Sequence, residues 1–438
     1  MRKWYEIETH RMENHMSRIA LISLFTLGIA SSFASDWPQY RGPNADGTSP
    51  ETGILKTWPK EGPRQVWKID KLGESFGSFA VVKDKAFIFV ERGGDEVCLG
   101  LEAATGKELW ATPIDKTIFE KAGGNGPRST PTISEGHVYV LGTYLKLACL
   151  NAADGKVIWK KDLAADAGGE IQLKTAGIVN WGGSASPVIE GNTIFVHGGG
   201  AASSILGIDK KTGNVLWKGT DELLTHATPT PATIHGVRQV VFFTKSGLVS
   251  VAAKDGAVLW RHPFKWATST ASSPIVDGDI VFCSAGYGVG GGAARVTKTG
   301  ETFSAKELWM TPGNDMANHW TTGIAKDGYL YAIFGFKNFV KPPNVGAPLK
   351  CIELATGKEM WSKPGFGSGG GTIMIDGHIL VQSDAGAISL VEATPKEFKE
   401  VVRAQPLSGK CWTMAIVANG KIYARSDKVG ICLDISGK

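Results

Sequence analysis

Short apolar runs split by a glycine turn recur along this chain, as in Ile133-Ser-Glu-Gly-His-Val-Tyr-Val140, Val188-Ile-Glu-Gly-Asn-Thr-Ile-Phe-Val196, Ile275-Val-Asp-Gly-Asp-Ile-Val-Phe282 and Ile373-Met-Ile-Asp-Gly-His-Ile-Leu-Val381. Each has the length of two short strands, with Gly where a tight hairpin needs a backbone twist that other residues resist. Each is expected to be a β-hairpin. A second phrase follows, ending in Trp: Glu102-Ala-Ala-Thr-Gly-Lys-Glu-Leu-Trp110, Asn151-Ala-Ala-Asp-Gly-Lys-Val-Ile-Trp159 and Asp209-Lys-Lys-Thr-Gly-Asn-Val-Leu-Trp217, with further copies ending at Trp260, Trp309 (interrupted) and Trp361. Its Gly also marks a hairpin, so the two phrases together make a four-stranded unit.

Successive tryptophans lie 43 to 58 residues apart, a period that fits propeller blades. The ends of the pattern favour a ring over an open solenoid. The last unit, from Ala415 to Lys438, carries three strands, whereas Pro63-Arg-Gln-Val-Trp67 is a fourth strand with no three before it. Pairing them removes the open sheet edges. The expected fold is all-β, an eight-bladed β-propeller over residues 63–438 closed by an N-terminal strand completing the last blade, with 35–62 as an N-terminal extension. Fourth strands end at Trp67, Trp110, Trp159, Trp217, Trp260, Trp309 and Trp361, with the degenerate Glu400-Val-Val-Arg403 as the eighth. These tryptophans are read as spacers packed between blades.

Composition agrees with many strands and tight turns, since the chain has 56 Gly, 14 Trp and only 20% charged residues. The net charge of +5 is scattered, without the Lys/Arg runs that track phosphates, so no nucleic acid is expected as a partner. Residues 1–34 read as a signal peptide: Arg18 precedes the apolar stretch Ile19 to Ala30, and Ser32 and Ala34 are the small residues at the cleavage site. Glu6, Glu8 and Glu13 are out of place in a basic leader, which points to Met16 as the start of translation. The apolar stretch is shorter than a spanning helix. No Cys lies beside the cleavage site, so the protein is expected to be periplasmic or secreted, without a lipid anchor, and monomeric. Of the six cysteines, Cys98, Cys149, Cys351 and Cys432 fall at the same point of the repeat, too far apart between blades to bond, and are expected to be buried thiols.

The Trp phrase resembles the Ala-x-Asp-x-x-Thr-Gly-Lys-x-x-Trp repeat of the PQQ-dehydrogenase-like (quinoprotein alcohol dehydrogenase-like) β-propellers, over nearly the whole mature chain. The opening Asp36-Trp37-Pro38-Gln39-Tyr40-Arg41-Gly42-Pro43-Asn44 is similar to the start of secreted PQQ-binding-like repeat proteins. For the enzymes of that family the resemblance implies pyrroloquinoline quinone on the axis, Ca²⁺ held by Glu, Asn and Asp, a catalytic Asp and a vicinal disulfide. This chain has no Cys-Cys pair, and no Glu, Asn and Asp set matches that pattern. It is also similar to the cofactor-free outer-membrane assembly factor propellers, lipoproteins whose lipid attachment site has no counterpart here.

Propellers bind ligands where the connections into the innermost strands gather round the axis. Those connections carry Phe76, Arg128, Asn180-Trp181, His226, Trp266, Asn318-His319-Trp320 and Cys411-Trp412. Arg128, Trp181, His226, Trp266, His319, Trp320 and Trp412 are therefore the ligand-binding candidates at an axial mouth: the indoles to stack on a planar or sugar-like ligand, Arg128 and the histidines to supply charge and hydrogen bonds. Asn180 and Asn318 are weak candidates for metal ligands. No catalytic constellation is visible, and Gly286–Gly292 has no helix behind it to act as a phosphate loop. The expected function is an exported binding or scaffold protein without catalytic activity or cofactor, seating a protein, peptide or small molecule at the mouth. The alternative is a PQQ- and calcium-dependent oxidoreductase acting on alcohols or sugars.

Overall fold

In the computed structural model the described residues are 35–119, 123–166, 181–200, 203–268, 270–335 and 346–437; the leader 1–34 and Asn180 fall outside them. The hairpins pair two by two into eight sheets arranged as an all-β propeller. From the axis outward, blade 1 is Ala80–Val82, Lys85–Arg92, Asp95–Glu102 and Glu108–Lys116. The innermost strands of blades 2 to 7 begin at Thr132, Val188, Thr230, Ile275, Ile324 and Gly371. Blade 8 is Ile416–Ala418, Lys421–Arg425 and Gly430–Asp434. Its fourth strand is Arg64–Ile69, which runs antiparallel to Gly430–Asp434 with Trp67 opposite Cys432. The ring is thus closed by the N-terminal strand, as its sequence predicts. All six cysteines are buried and free. The single α-helix among the described residues is Leu163–Asp166.

Burial follows from the layering. The third strand of blade 4, Gly247–Ala252, is buried at every position, whereas its outer strand Val258–Pro263 alternates between covered and exposed. The alternating outer strands carry the tryptophans, and the structure gives the phrase a physical meaning. Five of the indoles, those of Trp67, Trp110, Trp159, Trp217 and Trp309, lean onto the glycine turn of the next blade. Trp67 Nε1 donates to Ala103 O at 3.0 Å, Trp110 Nε1 to Ala152 O at 3.3 Å, and Trp159 Nε1 to Lys210 O at 3.1 Å. Gly is required there twice over, by a positive φ and by the indole overhead. At Gly256 φ is 75°, and a Cβ would lie 2.4 Å from the Trp217 ring.

Gly256→Ala is accordingly expected to cost about 2–3 kcal/mol, from overpacking added to backbone strain. Gly278→Ala, at φ 60° with nothing within 4 Å of its Cβ, should cost only about 1 kcal/mol. Urea midpoints of the two variants check the difference.

Trp260 departs from the pattern. Blade 5 has an extended outer hairpin, Gly290–Thr299 and Thr302–Thr311, whose turn at Gly300 has nothing within 4 Å of its Cβ site. Trp260 therefore finds no turn to lean on and donates to Gln239 Oε1 of its own blade, at 2.6 Å.

The first part of the extension, residues 35–51, lies against the innermost strands and first hairpins. Trp37 bridges Val81 of blade 1, and Ile133 N of blade 2 donates to Pro38 O at 2.8 Å. Arg41 is 2% exposed and donates to Ala45 O, Asp46 O and, across the axis, Gly323 O at 2.6 Å. Thr48–Ser49 adds a parallel strand to the innermost strand of blade 7. The Glu51 carboxylate accepts from the backbone N–H groups of Asn419 and Gly420, in the first hairpin turn of blade 8. A segment outside the repeat thus touches the innermost strands or hairpins of several blades and fills the end of the channel where the first hairpins turn.

Candidate functional site

At the other end of the channel the connections into the innermost strands converge. Counting four residues back from the first residue of each innermost strand gives Phe76, Arg128, Ser184, His226, Ala271, Trp320 and Trp412 for blades 1 to 6 and blade 8. All seven face one axial cavity of about 270 Å³. Trp181 and His319, slightly farther back, face it as well. Six of the seven sequence candidates therefore share this cavity. Trp266 does not line it, because it stands nine residues before the innermost strand of blade 5, where Ala271, four before it, takes the place that faces the cavity. Its half-buried ring instead lies 4.1 Å beneath the Lys245 ammonium.

The rings form a continuous arc. The Arg128 guanidinium sits 5.3 Å from the Phe76 ring centre, and Phe76 is 5.5 Å from Trp412. Trp412 meets Trp320 at 4.8 Å, Trp320 meets His319 at 4.1 Å, and His319 meets Tyr287 at 5.0 Å. Trp181 and His226 stand edge to face at 6.4 Å. Glycines make the arc fit: a Cβ on Gly369 would fall 2.4 Å from Trp412, and Trp320 Nε1 donates to Gly369 O at 3.1 Å. The run Gly367–Gly371 is thus where blade 7 yields its place to the indoles of its neighbours. Arg128 is fixed by donating to Gly124 O and Gly126 O, both at 3.0 Å.

Beneath the rings lies a girdle of hydroxyls. Two residues before each innermost strand of blades 1 to 6 stand Ser78, Thr130, Ser186, Thr228, Ser273 and Thr322. Several tie neighbouring blades: Ser78 N donates to Thr130 Oγ1 at 3.0 Å, Thr130 N to Ser186 Oγ at 2.9 Å, Ser186 N to Thr228 Oγ1 at 2.9 Å, and Ser273 N to Thr322 Oγ1 at 3.0 Å. The floor is completed by Tyr40 of the extension, whose hydroxyl lies 3.1 Å from Thr322 Oγ1.

Tyr40 and Tyr287 were missed by the sequence reading, Tyr40 because it lies outside the repeat and Tyr287 because it sits within the glycine-rich turn after Gly286. The hydroxyl girdle was missed too, although the recurring Thr130-Pro131, Ser186-Pro187, Thr228-Pro229 and Ser273-Pro274 pairs were there to find.

The electrostatics are those of a desolvated, weakly basic site. Burial depresses the His226 and His319 pKa values to about 3, so both rings are neutral at physiological pH. His226 faces the Gly182 backbone without a well-formed hydrogen bond at either nitrogen. Among the described lining residues Arg128 carries the formal charge and no carboxylate is present. Asn318 does not reach the cavity; its amide donates to Thr321 Oγ1 at 3.0 Å and Ile333 O at 2.7 Å. No group of three or more His, Cys, Asp or Glu is placed to hold a metal ion among the described residues. Calcium prefers six or more oxygens, with carboxylates among them, so this donor set does not fit the quinone-linked Ca²⁺ of the enzymes.

A family profile described as "Outer membrane protein assembly factor BamB" matches residues 55–143 and 101–333. The chain belongs to this family. The outer membrane protein assembly factor BamB of Yersinia pestis is 24% identical over 203 residues, 37% of this chain and 51% of that protein. That of Salmonella typhimurium is 23% identical over 269 residues, 50% of this chain and 65% of that protein. The matches therefore span between half and two thirds of the length of these relatives. Among solved structures, BamB from Moraxella catarrhalis superposes with a TM-score of 0.58 at 15% identity, over 85% of this chain and all of that one. The quinohemoprotein alcohol dehydrogenase of Comamonas testosteroni gives 0.63 at 13% identity, over 93% and 82%. At such identities the likeness is one of fold. It is shared by an outer membrane protein assembly factor and an alcohol dehydrogenase, so function has to be argued from the cavity.

Proposed function

We propose that this protein is an exported, non-catalytic binding propeller that seats its ligand at the axial mouth. The observation that carries the reading is the cavity itself: an aromatic arc over a hydroxyl floor, with neutral histidines, one cation and neither a carboxylate nor a nucleophile among its described lining residues. Such a site has groups to orient a ligand and none placed to move a proton at neutral pH. A periplasmic or secreted location is supported by the leader-like residues 1–34 and by relatives named as outer membrane assembly factors. No helix among the described residues is long and apolar enough to cross a membrane.

Incubation with pyrroloquinoline quinone and Ca²⁺ tests this reading. The expected result is that no quinone absorbance follows the protein through gel filtration and no dye is reduced on alcohols or aldoses. Retained quinone with dye reduction would replace the reading with the oxidoreductase one.

A further inference from the structure

Glu51 is 1% exposed, at the point where the extension meets the first hairpin turn of blade 8. A buried carboxylate is unfavourable unless a positive charge or several hydrogen bonds offset it. Its partners here are backbone N–H groups: Oε1 accepts from Asn419 N at 2.6 Å and from Ser35 N at 3.1 Å, and Oε2 accepts from Gly420 N at 2.8 Å. Lys421 attracts the carboxylate through space, but its ammonium donates to Asn419 O at 3.4 Å. Burial holds the Glu51 carboxyl above its usual range in spite of these donors.

Ser35 is anchored by further bonds. Its carbonyl accepts from Asn419 N at 3.2 Å, and the carboxylate of its neighbour Asp36 accepts from Lys83 N, in the first turn of blade 1, at 2.7 Å. The nitrogen that faces Glu51 belongs to the residue following Ala34, where the leader is expected to be cut. Hydrolysis there breaks the bond between the Ala34 carbonyl carbon and the Ser35 nitrogen. The oxygen of water goes to the carbon, which leaves as a carboxylate, and its two hydrogens go to the nitrogen, which becomes an ammonium. The donor already aimed at Oε1 thereby gains a full positive charge while its backbone stays in place.

We propose that Ser35 is the mature N-terminus and that its α-ammonium is the counter-ion of Glu51, a charge pair that removal of the leader creates and that fastens the extension across the seam between blades 8 and 1. An uncut chain offers Glu51 a neutral donor at the same place, and a charge-assisted bond is roughly twice as strong as a neutral one. An α-amine ordinarily titrates at about 7.7–8.0, and pairing with a carboxylate raises that value. The added stability is therefore complete below the ordinary value and is lost as pH rises through the raised one. The pair is independent of what the mouth binds, so quinone retention would leave it standing.

The test compares the exported protein, its first residue read by intact mass, with the same protein begun at Ala34, which keeps an amide at Ser35 and moves the charge one residue away. Export is expected to yield Ser35 as the first residue. At pH 7 the exported protein should melt about 1–3 °C above the longer one, and the gap should close by about pH 10. The other ionisable groups around the pair, Lys421 and Tyr423 of blade 8, Asp36 and Lys83, are common to both chains, so their titration cancels. Glu51→Gln should abolish the gap at pH 7, and a gap retained in that variant overturns the pairing. A first residue other than Ser35, equal melting of the two chains at pH 7, or a gap unchanged at pH 10 overturns the proposal without any variant having to fold.

Discussion

Deletion of residues 35–70 is expected to turn a soluble protein into an aggregating one. The deletion removes the Arg64–Ile69 strand and leaves Gly430–Asp434 as a bare edge of blade 8, the kind of edge that recruits other strands. It also removes Trp37 and Trp67, which are 1% and 6% exposed. Truncating one such buried indole costs about 3–5 kcal/mol, against a total stability of about 5–15 kcal/mol for a folded domain. Losing both, with the three Arg41 bonds, takes most of that margin. Trp67→Ala isolates one part: it keeps the strand, removes the seam between blades 8 and 1 at Gly106 and Ala103, and is expected to lose about 3–5 kcal/mol while staying soluble. Light scattering and urea unfolding of the two proteins distinguish the cases. A soluble deletion protein with unchanged melting would show that the ring does not depend on its N-terminal strand.

Acid is expected to destabilise the protein well before its surface carboxylates titrate. Burial depresses His197 to a pKa of about 4 and His226 and His319 to about 3. Below the ordinary histidine value of 6.5 the unfolded chain takes up protons that the folded chain refuses, so these three groups lose stability as pH falls from 6.5 toward 4. Glu96 acts in the opposite direction. Buried between blades 1 and 2 and hydrogen-bonded by Thr143, it is raised to about 7, so the fold holds a proton that the unfolded chain releases between 4.5 and 7. Its contribution is present at acid pH and is lost as pH rises through that window. Between pH 6.5 and 4.5 three groups oppose one, a net of two protons. Each proton changes stability by about 1.4 kcal/mol per pH unit, so the expected loss approaches about 3 kcal/mol per unit of acidification. Urea midpoints from pH 7 to 5 read the slope, and Glu96→Gln should steepen it. A flat profile across that range would mean that the histidines are not held neutral by the fold.

The parts of this molecule legible in its sequence are those that every blade repeats. Trp and Gly recur together because an indole from one blade rests where the next blade can carry no Cβ, and that constraint shows at Gly106, Gly155 and Gly213 alike. The closing strand was legible through the same phrase, since Trp67 belongs to a fourth strand without a blade of its own. The site was legible only in part. Arg128, His226, Trp320 and Trp412 each stand four residues before a strand and face the cavity for that reason, whereas Trp266 resembled them in residue type and not in spacing. Tyr40 had no period to betray it, because its position is fixed by Arg41 reaching across the bore to Gly323. Tyr287 lies in a glycine-rich turn at φ 57°, where the local sequence speaks for a bend and is silent about what the bend aims.

The closing strand also sets a clock. Arg64–Ile69 and its partner Gly430–Asp434 are separated by some 360 residues, so a chain made from its N-terminus holds one half of the seam long before the other exists. Seven blades can form in order of synthesis, each from local hairpins, but blade 8 must wait for the last of them. Until then two sheet edges and the unsealed bore are open to wrong partners. Such long-range closure is slow, and the folding yield of this protein is expected to depend less on how well any blade packs than on how long its first strand is kept waiting.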